Sequence, residues 1–187
     1  MVRGPLIQID ETVAFVRDCP SGYVWVFASM DSVYYMFRPN REAAFLHETL
    51  LGFDGVLISD FFSGYDSLPC KQQKCLIHLI RDLNGDFRKN QFNAELKSIV
   101  TKFGILLRSI VDAIDKYGLR RRHLQKYLKD VDAFYQVLAE TQYETEIAAR
   151  YHKRLTRNRE RLFEFLRHDE IPWNNNNAEN AIKPFAK

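Results

Sequence analysis

The chain has 187 residues and a formal net charge of +3, with 46% hydrophobic and 27% charged residues. This composition is typical of one globular domain, with or without an insertion, and excludes a largely disordered chain. Three cysteines are too few for a disulfide framework and indicate a reducing compartment. No apolar run approaches the roughly 20 residues that span a bilayer, and the N-terminus lacks a signal-peptide layout. The net charge is too small to indicate a nucleic-acid partner, so the placement of charges must decide.

Short β-type runs occupy the first third of the chain. Turn-forming residues separate three of them, which predicts three hairpin-linked antiparallel strands at 6–9, 23–27 and 33–37, with turns at 20–22 and 30–32.

The next elements predict that the sheet becomes partly parallel. A short helix is expected within 41–51, followed by an almost wholly apolar strand at 55–60 and a weaker fifth strand at 73–77. Because a helix connects the third and fourth strands, it forms a crossover between them.

From residue 91 the apolar residues recur at helical spacing. Three stripes, at 96–114, 124–138 and 147–166, predict a long helical block, which ends at Pro172. A last helix is expected to start near Asn176 or Asn177. The chain is thus predicted to have an α/β fold with a mixed central sheet, flanking helices and a large helical insertion.

Three carboxylates stand where such a sheet would present them. Asp10 follows the first strand, Asp60 ends the buried fourth strand, and Glu179 lies in the first turn of the last helix. If the first and fourth strands are parallel neighbours, the two aspartates meet at one edge. Clustered carboxylates suit hard divalent cations such as Mg²⁺ or Mn²⁺, which support phosphoryl transfer.

Four stretches carry a family resemblance. They read QIDET, GVLISDFFSGYD, QQKCLIHLIRDL and PWNNNNAENAIK, at residues 8–12, 55–66, 72–83 and 172–183. In this order, and over essentially the whole chain, they resemble the DDE transposases of the insertion sequence sixty-six family.

The resemblance implies a ribonuclease-H-like mixed five-stranded sheet and DNA transposition by 3′-end cleavage and strand transfer. Asp10, Asp60 and Glu179 would be the catalytic and metal-binding triad, with two Mg²⁺ or Mn²⁺ ions when DNA is bound. The implied organisation is a first core part at 1–83, a helical insertion at 84–170 and a final core helix at 171–187. Family members often have Arg after the third acid, whereas this chain has Asn180 and a later Lys183.

The resemblance also bears on partners and setting. Family members carry DNA-binding segments before such a stretch and continue past it, which implies an excised catalytic core or the product of a decayed element. The implied partners are element ends, target DNA and a second copy of the chain, in the bacterial cytoplasm at the nucleoid.

Basic side chains supply the predicted DNA contacts. An excess of arginines between residues 150 and 167 favours a phosphate-binding surface on one face of a continuous helix, although a solvated helix face gives the same pattern. The candidate DNA-binding residues are His78, Arg81, Arg150, Arg154, Arg157, Arg161 and Lys183.

Structural alternatives remain open for the site residues. Asp10 and Asp60 are also typical of acids that cap strand ends. Asn176 and Glu179 match a capping box, and Glu179 with Lys183 is a favourable helical pair. The Cys75 and His78 spacing suggests zinc, but no second Cys/His pair completes four ligands.

Two other functions fit the same residues. One is a different ribonuclease-H-like nuclease, which would cleave nucleic acid without joining it to a target. The other is a non-catalytic DNA-binding or assembly remnant of a transposase.

Overall fold

The computed structural model describes residues 4–16 and 19–186. It divides into two compact units, one from the described residues up to Cys75 together with those from Trp173, the other Leu76–Pro172. The domain boundaries expected from the sequence, at 83/84 and 170/171, stay a prediction.

The first unit is built on a mixed five-stranded sheet with the strand order β3-β2-β1-β4-β5. Antiparallel pairs join β1 to β2 and β2 to β3, whereas β4 runs parallel to both β1 and β5. The mixed sheet and the antiparallel arrangement of its first three strands were both predicted correctly. The strands are β1 (Leu6–Val16), β2 (Cys19–Ala28), β3 (Val33–Arg38), β4 (Val56–Ser59) and β5 (Lys71–Lys74).

Three strand boundaries differ from the sequence expectation. β1 extends to Val16 and β2 begins at Cys19, so the turn expected at 20–22 is strand, and the residues at 17–18 lie outside the described chain. The extension forms a two-stranded ribbon with exposed side chains such as Phe15, so no burial pattern marks it in the sequence. β5 covers Lys71–Lys74, whereas the sequence predicted 73–77. The prediction was misplaced because the buried side chains of β5 are polar.

Both faces of the sheet are covered. On one face, Ile7, Ile9, Trp25 and Leu57 pack with the short helix α1 (Leu46–Thr49) and with Tyr65 of a 3₁₀ turn. On the other face, α8 (Asn176–Ile182) packs Ala178 and Ile182 against Val26 and Ala28 of β2. Successive β1 residues alternate between these two environments, as strand geometry requires.

The second unit is helical. Its longest helix, α3, begins after Asn93, whose side chain accepts a hydrogen bond from Leu96 N at 2.8 Å, and ends at Gly118 with φ of 69°. Phe103 of α3 anchors an aromatic core with Phe134 and Phe163. Its helices are α2 (Leu76–Lys89), α3 (Ala94–Tyr117), α4 (Arg121–Leu124), α5 (Leu128–Glu140), α6 (Glu146–Arg157) and α7 (Arg159–Leu162).

The third apolar stripe is not one continuous helix, so this expectation was wrong. Asn158 ends α6: its backbone N–H and its side-chain amide both donate to Arg154 O, at 3.2 and 2.8 Å. Its own carbonyl then accepts from Arg161 N at 2.9 Å and starts α7. A search of the described helices finds none that combines the length and apolar character needed to cross a membrane.

Candidate functional site

The strand register aligns Asp10 with Asp60. β1 and β4 pair Leu6 with Val56 and Gln8 with Ile58, and each aspartate lies two residues beyond the last of these pairs. Extending the same parallel register sets the two aspartates opposite each other, at the point where β4 ends while β1 continues to Val16. Asp10 shares a sheet face with Val26, its partner on β2, which is the face covered by α8.

Cys75 follows the end of the next strand, β5, and lies level with Asp60. Ser59 of β4 pairs with Lys74 of β5, and Cys75 N donates to Ser59 O at 2.8 Å. Cys75 therefore lies beside Asp60 at the same edge of the sheet.

Helix α8 brings Glu179 to these residues. Two hydrogen bonds fix its first turn to β1: Asn175 Nδ2 donates to Ile9 O at 2.8 Å, and Asn177 N donates to Gln8 Oε1 at 3.0 Å. One turn later, Cys75 Sγ lies 3.9 Å from Glu179 Oε1. The last helix thus delivers a carboxylate to the strand edge.

The charges of Asp60 and Glu179 both act on Asp10. Burial, together with the neighbouring charges of Glu11, Asp60 and Glu179, raises the pKa of Asp10 from 3.8 to about 7, against a lowering hydrogen bond from Glu11 N. A carboxyl with this pKa is partly protonated at neutral pH unless a cation stabilises its charge.

The capping-box alternative for Glu179 is wrong. Asn175, not Asn176, precedes the first turn of α8, and it makes no side-chain capping hydrogen bond. Its side-chain amide donates to the Ile9 carbonyl of β1 instead. The strand-end role fits Asp60 in part, because Asp60 Oδ1 accepts from Phe62 N at 2.8 Å.

The donor set fits a hard divalent cation. Carboxylate oxygens are the ligands that Mg²⁺ and Mn²⁺ prefer, and a cation here would offset the burial and the repulsion that raise the pKa of Asp10. The residues that could hold it are Asp10, Asp60 and Glu179.

A fourth carboxylate, Glu11, was missed from the sequence. It follows Asp10 on β1 and therefore points to the opposite face, where its side chain is 1% exposed. Tyr65 Oη and the Arg41 guanidinium both donate to it. The only signal in the sequence is an acid at the third position of the alternating series Ile7, Ile9, Glu11.

Three of the predicted basic residues line one cleft within the second unit. Arg81, Arg150 and Arg154 border a space of about 380 Å³ between α2 and α6. Two acids of α2 pair with the α6 arginines: Arg150 Nη2 lies 2.6 Å from Asp86 Oδ2, and Arg154 Nη1 lies 2.8 Å from Asp82 Oδ2.

The other predicted basic residues do not form the expected ridge. Because the helix breaks at Asn158, Arg157 ends α6 while Arg161 lies partly buried on α7. His78 is half-buried on α2. In the first unit, Lys183 is exposed and its Nζ donates to Asn180 Oδ1 at 2.7 Å.

Fold and site define the chain as a mixed-sheet α/β protein with a carboxylate cluster at the ends of parallel strands, as in ribonuclease-H-like proteins. The model of the Transposase IS66 family matches residues 1–187. The chain belongs to this family, which supports a role in DNA transposition with DNA as a partner. The searches of curated proteins and of solved structures gave no match.

Asn175 tests how α8 is positioned. Replacing Asn175 with Ala removes the hydrogen bond to the Ile9 carbonyl, which should destabilise the fold by about 1–3 kcal/mol. Mn²⁺ affinity should fall as well, because Glu179 is displaced while every carboxylate remains. Thermal melting and Mn²⁺ titration calorimetry measure the two effects.

Asn177→Ala is the matched control. Asn177 is exposed, and it contacts Gln8 through its backbone N–H, which the substitution keeps. Equal Mn²⁺ affinity in the two variants would contradict a positioning role for Asn175.

Proposed function

We propose that this chain catalyses DNA transposition by metal-dependent phosphoryl transfer, as a DDE-type core. Asp10, Asp60 and Glu179 are its catalytic carboxylates, and they hold Mg²⁺ or Mn²⁺. The observation that carries the proposal is the convergence of these three side chains, with the pKa of Asp10 raised to about 7 by burial and by its acidic neighbours.

The reaction has two displacements at phosphorus. Water first attacks the phosphodiester at the element end; the P–O3′ bond breaks, leaving a 3′-hydroxyl and a 5′-phosphate. That hydroxyl then attacks a target phosphodiester, forming a new P–O bond as the target's P–O3′ bond breaks. Divalent ions at the carboxylates supply charge for activating the nucleophile and stabilising the leaving oxygen.

The chain's own groups prepare this site. The carboxylates of Asp10 and Asp60 are fixed by parallel strands, and that of Glu179 by the anchored first turn of α8. Fixed positions matter because phosphoryl transfer depends on aligning the nucleophile with the leaving oxygen.

A strand-transfer assay tests the proposal. Labelled duplexes taken from the DNA flanking the coding sequence are incubated with the protein, Mn²⁺ and a supercoiled target plasmid. The wild type should nick the duplex at its 3′ end and join it to the plasmid, and Asp60→Asn should do neither.

Asp54→Asn is the control, because Asp54 is exposed and precedes β4 in the same unit. It should behave as the wild type. Cleavage without joining would identify a ribonuclease-H-like nuclease instead. No cleavage in any variant would contradict catalysis and favour a DNA-binding remnant.

We also propose that the cleft between α2 and α6 contacts the DNA backbone. Arg81, Arg150 and Arg154 line it together with Lys89, so four cationic side chains face two acids there, Asp82 and Asp86. Such contacts would be to phosphates and carry no base information. His78, Arg157, Arg161 and Lys183 do not line this cleft, and their DNA-binding roles stay predictions from the sequence.

Charge removal in the cleft gives a measurable result. Arg81→Gln with Arg154→Gln should weaken DNA binding alike for all sequences and lower the salt slope by about 0.9 per lost phosphate contact. Fluorescence anisotropy with two unrelated duplexes, at several salt concentrations, measures both. Arg108→Gln, at an exposed position of α3, is the control for lost charge alone. If the salt slope of the double variant equals that of Arg108→Gln, the arginines of the cleft have a purely structural role.

A further inference from the structure

Behind the Asp10 edge lies a second charged cluster, made of Glu11, Arg41 and Tyr65. The Glu11 side chain is almost fully buried, and burial raises its pKa, while hydrogen bonds from Tyr65 and Arg41 lower it. Arg41 Nε donates to Glu11 Oε1 at 2.9 Å. The buried carboxylate is therefore held in one place by a phenol and a guanidinium.

Arg41 reaches from this buried carboxylate to the surface. Its side chain is 46% exposed, so part of its five N–H donors stays accessible to solvent. Its Cζ lies 4.2 Å from the centre of the Phe62 ring, which packs against the guanidinium.

The same cluster ties Arg41 to the catalytic edge. Phe62, whose ring packs against the Arg41 guanidinium, also donates its backbone N–H to Asp60 Oδ1 at 2.8 Å. Burial lowers the pKa of the Arg41 guanidinium, but the hydrogen bond to Glu11 and the charge of Glu11 raise it, and the negative charge of Asp60 adds to this rise. Arg41 thus presents a positive charge that is linked to Asp60 through Phe62.

A structural ion pair alone does not account for this arrangement. Buried ion pairs are weak contributors to stability, because desolvation offsets their attraction. DNA, in contrast, has to approach a site that holds the carboxylates of Asp10, Asp60 and Glu179, which repel its phosphates. A guanidinium has the planar fork of donors that matches a phosphate.

We infer that Arg41 binds a backbone phosphate of the DNA strand that enters the carboxylate site, and that Glu11 and Tyr65 are positioning residues that orient it. This inference rests on the proposed function and adds a substrate contact to it.

A double substitution separates the two roles of Arg41. Arg41→Ala alone leaves Glu11 buried without its cation and is expected to destabilise the fold. Glu11→Gln with Arg41→Ala removes both charges, so the melting temperature and Mn²⁺ binding should stay close to wild type. DNA affinity should nevertheless fall about tenfold, with the salt slope lower by about 0.9. Glu11→Gln alone keeps the Arg41 guanidinium but weakens its orientation, so DNA affinity should fall less than in the double variant and the salt slope should stay at the wild-type value.

Arg41→Lys provides a second test that does not depend on the double variant folding. Lysine keeps the charge beside Glu11 but lacks the fork, so DNA affinity should fall several-fold while stability is kept. Wild-type affinity and salt slope in Glu11→Gln/Arg41→Ala or in Arg41→Lys would overturn the inference and leave Arg41 as the partner of Glu11. Strand transfer by the wild type is measured in parallel; its absence would contradict the proposed function, while the salt slopes decide on Arg41 separately.

Discussion

Asp10→Asn is expected to raise the melting temperature of the metal-free protein at pH 8. In the folded state the pKa of Asp10 is about 7, above its ordinary value of 3.8, so the folded protein holds this proton where the unfolded chain has lost it. The free energy of unfolding therefore falls as pH rises from about 4 to about 7, and the loss is complete above that range.

Asparagine removes this cost while its side-chain oxygen keeps the hydrogen bond from Glu11 N. One pKa unit corresponds to about 1.4 kcal/mol, and because Asp10 is only partly buried we expect a gain on the order of 2–3 kcal/mol. This corresponds to a melting temperature higher by roughly 5–10 °C. Melting curves in chelator between pH 5 and pH 8 measure the effect.

The difference should shrink at pH 5, where Asp10 is protonated in the folded protein. Asp54→Asn, which keeps Asp10, should melt as the wild type does at both pH values. A variant that is less stable than wild type at pH 8 would contradict the idea that Asp10 is a repelled carboxylate.

Asp60→Asn is expected to abolish Mn²⁺ binding and to leave the melting temperature equal or higher. The substitution removes one ligand charge and part of the repulsion on Asp10, while the oxygen of asparagine can still accept from Phe62 N. Titration calorimetry with Mn²⁺ and thermal melting of the same samples measure both results.

Asp54→Asn, with the same change at an exposed position, should bind Mn²⁺ as the wild type does. A large loss of stability in Asp60→Asn would instead mark Asp60 as a structural acid at the end of β4.

The strand-end acids were predictable because sheet geometry is local and regular. In the sequence Asp60 follows one short apolar run and Asp10 follows another, and the crossover helix indicated a partly parallel sheet, in which the two strands could be parallel neighbours. The structure shows them so paired. Given those three features, the register leaves little freedom in where the aspartates meet. Their catalytic role stays a proposal.

The contacts that position the last helix were not predictable. Asn175 is one of four successive asparagines, and its partner is a backbone carbonyl on β1, distant in sequence. No propensity distinguishes an asparagine that caps its own helix from one that bonds to another strand. Here the Asn175 side chain bonds to the sheet, and the capping-box alternative, which rested on the neighbouring Asn176, does not hold.

Polar burial explains the misplaced fifth strand. Lys74 is 1% exposed, and its Nζ lies 3.2 Å from Ser59 Oγ and 3.5 Å from Asp66 Oδ1. Gln72 is buried too and donates to Tyr65 O at 2.7 Å. The inward side chains of this strand are polar and form hydrogen bonds, so the strand has no apolar pattern in the sequence. The prediction from hydropathy was therefore shifted toward the apolar residues Leu76 and Ile77.

The central claim is that Asp10, Asp60 and Glu179 form one divalent-metal site. Crystals of the protein soaked with Mn²⁺, examined by anomalous diffraction, test it most directly. We predict an anomalous peak within about 2.1–2.3 Å of carboxylate oxygens of Asp10 and Asp60, with Glu179 beside it. Mn²⁺ bound elsewhere, with these three carboxylates left without metal, would contradict the account.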